Sequence, residues 1–194
     1  ISVNDQALNF LQNNPDPINF PNGRDFTAMA YNPHAHEAYA FTGACSNPDK
    51  LYRLTFQGGG TQITEIIDLF PQGASDGIYG CAYDHELGIL YAVGIRNATQ
   101  RLFKVDPATG IFTSVGPITL TANGGGSSND GCNAFDDGID GLTYDPVDNM
   151  LLAVAGNKLY TINPLTAAYT EEGTTPHDQI WGLALDYFTD KLYG

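Results

Sequence analysis

The sequence predicts an all-β protein built from repeated units of four antiparallel strands, and three observations support this prediction. Residues 76–116 and 137–173 begin with closely similar sequences, DGIYGCAYD and DGIDGLTYD, and remain similar beyond them. Large and small residues alternate within both stretches, which is the period of two expected of a β-strand. The 22 Gly, 11 Tyr and 10 Phe residues are typical of tight turns that join aromatic-rich strands.

The repeat extends to four copies when one Asn or Asp position is taken as the origin of each unit. These origins are Asn32, Asp84, Asp145 and Asp186. One position earlier stand Tyr31, Tyr83, Tyr144 and Leu185, and three positions earlier stand Met29, Cys81, Leu142 and Leu183. Two and four positions earlier the residues are small: Ala30, Ala82, Thr143, Ala184, and Ala28, Gly80, Gly141, Gly182. The small columns indicate close approach by another backbone.

Each unit reads as the same succession of elements. The first strand, GLTYD in the third unit, ends at the origin, where an Asn or Asp side chain can cap a turn and Pro33 or Pro146 sets its dihedral. A second strand (LYAV), a third strand (51–56, 102–105 and 159–162), a turn (VDPATG) and a fourth strand (IFTSV) follow. Four antiparallel strands per unit, with 41 residues between Asp145 and Asp186, are typical of a β-propeller blade.

We therefore divide the chain into an irregular segment or outer strand, 1–23, and a region of propeller blades, 24–194. The blades are expected at 24–72, 73–117 and 118–174, the last including an insertion at 117–136, with a partial blade at 175–194. About three and a half blades are short of a closed ring. Three explanations remain open: a fragment of a longer protein, cleavage during maturation, or completion by a partner. Completion by another copy predicts head-to-tail assembly and a filament, because an open strand edge is a template for pairing.

The unit endings LFKVDPATG and LYTINPLTA, together with GLTYDP, carry a resemblance to a known class of proteins. From Arg24 to Gly194 the chain resembles secreted propeller-repeat domains in the neighbourhood of the NHL and YVTN propellers. The resemblance implies a funnel-shaped ring with its functional face at one end of a central channel. It implies no particular activity, because propellers serve as enzymes, receptors and scaffolds alike.

The charge balance narrows the class of partner. Eight Lys and Arg residues against 22 Asp and Glu residues give a net charge of -14, which repels nucleic acid and anionic membranes. No apolar run approaches the length of a bilayer-spanning helix, so we expect no membrane insertion. We expect other protein subunits, copies of the chain itself, or carbohydrate as partners.

Three carboxylates recur at the end of the blades where the first strand begins. Asp76, Asp137 and Asp178 each stand eight positions before an origin, and Arg24 takes that position in the first unit. In a four-stranded meander these positions lie at the mouth of the channel, where hard oxygen ligands suit Ca²⁺ or Mg²⁺. The alternative is that each Asp caps its own turn.

The cysteines and one sequon bear on the compartment. Cys81 shares its column with apolar residues, so we interpret it as a buried residue with an inert thiol. Cys45 and Cys132 fall in loops of neighbouring units, and a disulfide between them would imply an oxidising compartment. Asn97 begins the sequon NAT in a loop, where it could carry a glycan. Together with the acidity, these features predict an extracellular or cell-surface protein.

The histidines do not form a recognisable catalytic motif. His34 and His36 could present two imidazoles to a metal, or could be two polar residues of one turn, the interpretation that we prefer. HExxH, CxxC and phosphate-loop motifs are missing from the sequence. The first functional hypothesis is a non-catalytic extracellular propeller that acts as a structural scaffold or a binding and adhesion unit. The alternative is a metal-dependent hydrolase of the lactonase or phytase type, with His177 and the three Asp residues around a divalent ion in the channel.

Overall fold

The computed structural model describes residues 26–44, 47–57, 60–68, 77–96, 99–120, 138–177, 180, 182–186, 189 and 191–194. This part of the chain consists of strands and the turns between them. Within it, no helix is long and apolar enough to cross a membrane.

The described residues form fourteen strands in four sheets, which we number as blades 1 to 4. Blade 1 contains β1 (Phe26–Asn32), β2 (Glu37–Ala44), β3 (Asn47–Gln57) and β4 (Gly60–Asp68). Blade 2 contains β5 (Ile78–Asp84), β6 (Ile89–Arg96), β7 (Thr99–Val105) and β8 (Phe112–Pro117). Blade 3 contains β9 (Gly141–Asp145), β10 (Met150–Ala155), β11 (Lys158–Ile162) and β12 (Tyr169–Thr174). Blade 4 is the hairpin of β13 (Ala184–Asp186) and β14 (Lys191–Tyr193).

Within each blade the strands pair antiparallel in the order in which they occur along the chain. The sequence prediction of an all-β protein made of four-stranded antiparallel units is therefore confirmed. The repeated Asn or Asp origin ends the first strand of every blade, at Asn32, Asp84, Asp145 and Asp186.

The core lies between the blades, because each sheet presents an apolar face to its neighbour. One cluster joins blades 1 and 2 through residues such as Phe41, Leu51, Leu90 and Phe103. A second cluster joins blades 2 and 3 through residues such as Tyr91, Leu102, Leu151 and Tyr160. Burying a side chain of this size stabilises the fold by about 1.5–3 kcal/mol. Two of the three buried clusters therefore lie between blades, while the third contains residues of blade 1 alone.

The small-residue column allows the first strands to approach one another closely, as the sequence predicts. A Cβ added at Gly80 would lie 3.2 Å from Leu142 Cβ in the next blade. A Cβ added at Gly141 would lie 2.9 Å from the backbone carbon of Gly182 in blade 4. Because real Cβ atoms do not tolerate the second distance, Gly141 is required at the junction of blades 3 and 4.

The apolar column three residues before the origin is not buried in every blade. Cys81 and Leu142 are each 4% exposed, whereas Met29 is 60% exposed. The difference depends on whether a neighbouring blade covers that face of the sheet. Cys81 packs against blade 1 and Leu142 packs against blade 2. Met29 lies on the face of blade 1 that points away from blade 2. The interpretation of Cys81 is confirmed, since its thiol is unbonded and burial raises its pKa.

Candidate binding surface at the turn end of the blades

Two sets of turns lie at the same end of the blades, because a meander returns to one end after every second strand. We call this end the turn end. It comprises the turns between the first and second strands (33–36, 85–88, 146–149) and those between the third and fourth strands (106–111, 163–168). The first strand of each blade begins at the opposite end.

The first set of turns is held by the repeated Asn or Asp side chain. Asn32 Oδ1 accepts hydrogen bonds from the backbone N–H groups of His34 and Ala35, at 3.0 and 3.2 Å. Asp84 Oδ1 accepts from the backbone N–H groups of Glu86 and Leu87, both at 3.0 Å. The predicted capping of these turns is confirmed.

Asp145 repeats this arrangement in blade 3, where its Oδ1 accepts from Val147 at 2.8 Å and Asp148 at 3.4 Å. In blade 4, Asp186 accepts from the backbone and hydroxyl of Thr189 at 3.3 and 2.7 Å. In blades 1 to 3 the chain therefore leaves its first strand by one geometry, in which the origin side chain accepts from the second and third backbone N–H groups that follow it.

The turns between the third and fourth strands are also capped by an Asp or Asn side chain. Asp106 Oδ1 accepts from the backbone N–H of Ala108 at 2.8 Å, and its Oδ2 accepts from the Thr109 hydroxyl at 2.7 Å. These bonds favour the carboxylate and lower the pKa of Asp106. Asn163 accepts in the same way from the N–H groups of Leu165 and Thr166, at 2.9 and 3.2 Å. Side chains on these turns are thus presented from a fixed backbone.

The turns of blades 1 and 2 are linked through tyrosines. Asn32 Nδ2 donates to the Tyr83 hydroxyl at 3.0 Å, and the rings of Tyr39 and Tyr83 stack with their centroids 5.6 Å apart. The Tyr39 hydroxyl donates to Glu37 Oε2 at 3.1 Å. Burial, reinforced by the negative charge of Glu37 and by this hydrogen bond, raises the pKa of Tyr39 to about 12.

Blades 2 and 3 repeat the link with one difference. Tyr91 and Tyr144 stack at 6.1 Å, as Tyr39 and Tyr83 do. Asp84, at the position of Asn32, is fully buried, and no well-aligned hydrogen bond reaches its Oδ2. Burial, and after it the nearby Asp84 carboxylate, raise the pKa of the Tyr144 hydroxyl. The well-aligned acceptor of that hydroxyl, however, is Asn149 Oδ1 at 3.0 Å. We conclude that any bond from Tyr144 to Asp84 is weak and shared.

The histidines of the turn end pair differently from what their spacing suggests. The rings of His34 and His85, in equivalent turns of blades 1 and 2, lie 5.4 Å apart. His36 adopts a φ of 53°, and its Nδ1 lies 3.1 Å from the Tyr31 hydroxyl. Both residues are therefore turn residues, as preferred from the sequence, and His34 faces a histidine of the next blade rather than His36.

Large apolar side chains are exposed on the turn end of blades 2 and 3. They are Leu87 (63% exposed), Ile111 (61%), Val147 (80%) and Leu165 (65%). Exposed carboxylates stand beside them at Glu86, Asp106 and Asp148. Apolar residues grouped on one end of a protein, with charged residues between them, are typical of an interaction surface.

Sequence reasoning missed this surface because it assigned the binding end by the recurrence of carboxylates. The relevant signal was an aliphatic residue within turns otherwise rich in Asp, Asn, Pro and Gly. It also missed the stacked tyrosines, although Tyr39, Tyr91 and Tyr193 all stand seven residues after an origin.

Six of the site residues named from the sequence fall outside the described part of the chain, whereas His177 lies within it and is exposed. The six are the metal candidates Asp76, Asp137 and Asp178, the sequon residue Asn97 and the disulfide candidates Cys45 and Cys132. Residues 1–23 and most of the insertion at 117–136 also fall outside it. Among the described residues, no group of three or more His, Cys, Asp or Glu side chains could hold a metal ion. The predictions for calcium, glycan and disulfide therefore stay predictions.

Comparison with known proteins identifies the fold but no family. No protein-family model matches the sequence, and no curated protein sequence matches it. Among solved structures, the chain is similar to one in the crystal structure of a nidogen/laminin complex, with a TM-score of 0.61 and 16% identity over 87% of this chain and 56% of that one. It is also similar to U3-55K, with a TM-score of 0.51 and 11% identity over 86% of this chain and 44% of that one.

A third match is the C-terminal WD40 domain of Sif2, with a TM-score of 0.46 and 12% identity over 84% of this chain and 40% of that one. The chain thus spans about half the length of the chains that it resembles, or less. The neighbour from the nidogen/laminin complex is a β-propeller, and the four-stranded antiparallel blades of the described residues are consistent with part of such a ring. At this identity the likeness shows the fold alone.

Proposed function

We propose that this chain is a non-catalytic propeller module that binds a protein partner through the turn end of its blades, outside the cell or on its surface. The observation that carries the proposal is the exposure of Leu87, Ile111, Val147 and Leu165 on turns whose backbone is fixed by side-chain caps. A preorganised apolar surface loses little conformational entropy on binding, which favours affinity.

The chemistry of the surface specifies the kind of partner. The apolar residues alternate with Glu86, Asp106 and Asp148, and the chain as a whole carries a net charge of -14. A complementary partner presents an apolar patch bordered by Lys or Arg, and its association is accelerated at low salt. A protein surface is favoured over carbohydrate because large aliphatic side chains dominate the exposed set.

Two further considerations support the extracellular assignment. The predicted sequon at Asn97 and the predicted disulfide of Cys45 with Cys132 both suit an oxidising secretory route. A structural neighbour comes from a nidogen/laminin complex, which makes laminin a reasonable first probe. The hydrolase alternative rests on Asp76, Asp137 and Asp178, and no observation on the described residues favours it.

The proposal is tested by measuring binding of the chain to immobilised laminin and to a panel of purified extracellular proteins of basic and acidic isoelectric point. We expect a basic partner, with affinity that falls as salt is raised. The double substitution Leu87→Asp and Val147→Asp should weaken that binding at least about ten-fold, since such residues supply the desolvated centre of an interface. The double substitution Thr64→Asp and Thr174→Asp, at exposed positions of the outer strands β4 and β12, is the control matched in charge.

Two results would overturn the proposal. One is that no protein of the panel binds with a Kd below about 10 µM, the weak end of specific association. The other is binding that the double substitution leaves unchanged.

A further inference from the structure

Two histidines from neighbouring blades meet on the turn end. The imidazole rings of His34 in blade 1 and His85 in blade 2 lie with their centroids 5.4 Å apart and their planes inclined by 52°. His34 is exposed and His85 is half-buried, so an ion can reach the pair from solvent. Imidazole is the commonest metal ligand among protein side chains. The pair is therefore a candidate for a metal site that joins two blades.

Both rings project from backbone that side-chain caps hold in place. The backbone N–H of His34 donates to Asn32 Oδ1 at 3.0 Å. Glu86, the residue after His85, donates its N–H to Asp84 Oδ1, also at 3.0 Å. Both capping residues are buried, so each histidine is anchored within two positions of the core. Holding the two imidazoles close together therefore costs little backbone entropy.

The separation of the two turns is also fixed, because residues next to the histidines join the blades. Asn32 stands two positions before His34, and Tyr83 stands two positions before His85. Asn32 Nδ2 donates to the Tyr83 hydroxyl at 3.0 Å, and the Tyr83 ring stacks on Tyr39 of blade 1. The contact between the imidazoles thus lies beside a hydrogen bond that connects the two blades.

The distance between the rings suits one tetrahedral ion bound by both. Two imidazoles that each ligate Zn²⁺ at about 2.0–2.1 Å in tetrahedral geometry place their ring centres about 5 Å apart. The observed separation of 5.4 Å is close to that value. Rotation of the rings about their side-chain bonds can therefore direct one nitrogen of each at a shared ion while the backbone stays in place.

We propose that His34 and His85 bind a late first-row divalent metal ion, of which Zn²⁺ is the first candidate, across the junction of blades 1 and 2. Imidazole nitrogen suits Zn²⁺, Ni²⁺ and Cu²⁺, whereas Ca²⁺ and Mg²⁺ take oxygen ligands. Among the described residues no third His, Cys, Asp or Glu side chain completes the set, so water or a donor from a bound molecule fills the other positions. The net charge of -14 attracts cations to the chain.

His36 provides the control for this site. It belongs to the same turn as His34 and is exposed like it, but its Nδ1 lies 3.1 Å from the Tyr31 hydroxyl of its own blade. Its φ is 53°, a conformation that Asn tolerates well. His36→Asn therefore removes an imidazole from the turn without removing a proposed ligand.

The test is titration of the metal-free chain with Zn²⁺, followed by calorimetry and by NMR of the histidine rings. We expect one ion per chain with a Kd between about 10 and 100 µM, because the second imidazole is held at high effective concentration once the first has bound. The ring signals of His34 and His85 should shift together, and those of His36 and His177 should stay in place. Ca²⁺ at the same concentration should not displace the Zn²⁺.

Variants of the two ligands test the assignment. His34→Asn and His85→Asn should each weaken Zn²⁺ binding at least about ten-fold, and His36→Asn should bind like the wild type. The variant that lacks both ligands should bind no more than about two-fold more weakly than either single variant, because removing one ligand already destroys the chelate.

Thermal unfolding gives a second measurement. Since the ion binds the folded pair, about 1 mM Zn²⁺ should raise the Tm of the wild type and of His36→Asn but not that of either ligand variant. Without metal the four Tm values should agree within about 2 °C, which shows that the variants fold. The NMR titration of the wild type tests the site even if a variant unfolds.

Three results would overturn the proposal. Failure of the wild type to bind Zn²⁺ with a Kd below about 1 mM would show that the two rings only pack against each other. Binding that survives His34→Asn or His85→Asn would place the ion elsewhere. An equal loss in His36→Asn would assign the ion to the two histidines of one turn. The site uses none of the apolar residues of the turn-end surface, so this proposal and the proposed function stand or fall separately.

Discussion

Replacing Asp84 by Asn tests the account of the junctions between blades. Asp84 is fully buried, its Oδ1 caps the turn with two backbone N–H groups, and its Oδ2 has no well-aligned partner. In blade 1 the same position is Asn32, whose Nδ2 donates to Tyr83 at 3.0 Å. Asp84→Asn keeps the capping oxygen and places a donor where the carboxylate has an oxygen without a well-aligned partner.

The expected change in the free energy of unfolding on Asp84→Asn is the sum of three contributions. Relieving a buried unsatisfied acceptor gains about 1–3 kcal/mol, and a new hydrogen bond to the Tyr144 hydroxyl oxygen adds about 1 kcal/mol. Losing the charge on a cap that accepts two N–H bonds costs about 1–2 kcal/mol. We expect a net gain of about 1 kcal/mol in the free energy of unfolding, which for a chain of this length raises Tm by about 2–4 °C.

The assay is urea and thermal unfolding of matched variants. Asn32→Asp is the reverse exchange and should destabilise by about 1–3 kcal/mol, because it removes the donor to Tyr83 and buries a charge. Asp84→Ala should destabilise by about 0.5–2 kcal/mol through loss of the cap. If Asp84→Asn instead lowers stability by 1 kcal/mol or more, Tyr144 already donates fully to Asp84 and the reasoning is refuted.

Four further predictions follow from the structure and the sequence. Because the pKa of Tyr39 is raised to about 12, its contribution to the free energy of unfolding is complete below pH 10 and is lost as pH rises from 10 through 12. Tyrosinate absorbance and unfolding measured together should show this loss. Tyr39→Phe should remove the pH dependence that comes from this group. Gly141→Ala should destabilise by about 1–3 kcal/mol because its Cβ would meet Gly182, whereas Gly173→Ala, with open space around it, should change the free energy of unfolding by less than about 0.5 kcal/mol; equal effects in urea denaturation would contradict the packing argument. If the predicted ring of carboxylates binds calcium, titration calorimetry should detect a site that Asp137→Ala weakens at least about ten-fold, and heat unchanged by the substitution would assign the Asp to turn capping. Expression through a eukaryotic secretory pathway should add glycan mass that Asn97→Gln abolishes, and an unmodified wild type would count against the sequon.

What the sequence determined by itself is the local structure. The alternation within GLTYD predicts a strand, and the Asn or Asp that follows predicts a capped turn, because both depend on residues within a few positions of one another. The fold class was therefore available from four aligned columns, and the pairing of strands in chain order confirms it.

What only the tertiary structure decided is which equivalent positions share an environment. Met29 and Cys81 stand in one column, yet one is exposed and the other buried, because burial depends on whether a neighbouring blade covers that face. Asn32 and Asp84 are likewise equivalent in sequence, but the first donates to a tyrosine and the second has an oxygen without a well-aligned donor. Contacts between blades join residues about fifty positions apart, so no local pattern encodes them. These contacts form only when one sheet packs against the next.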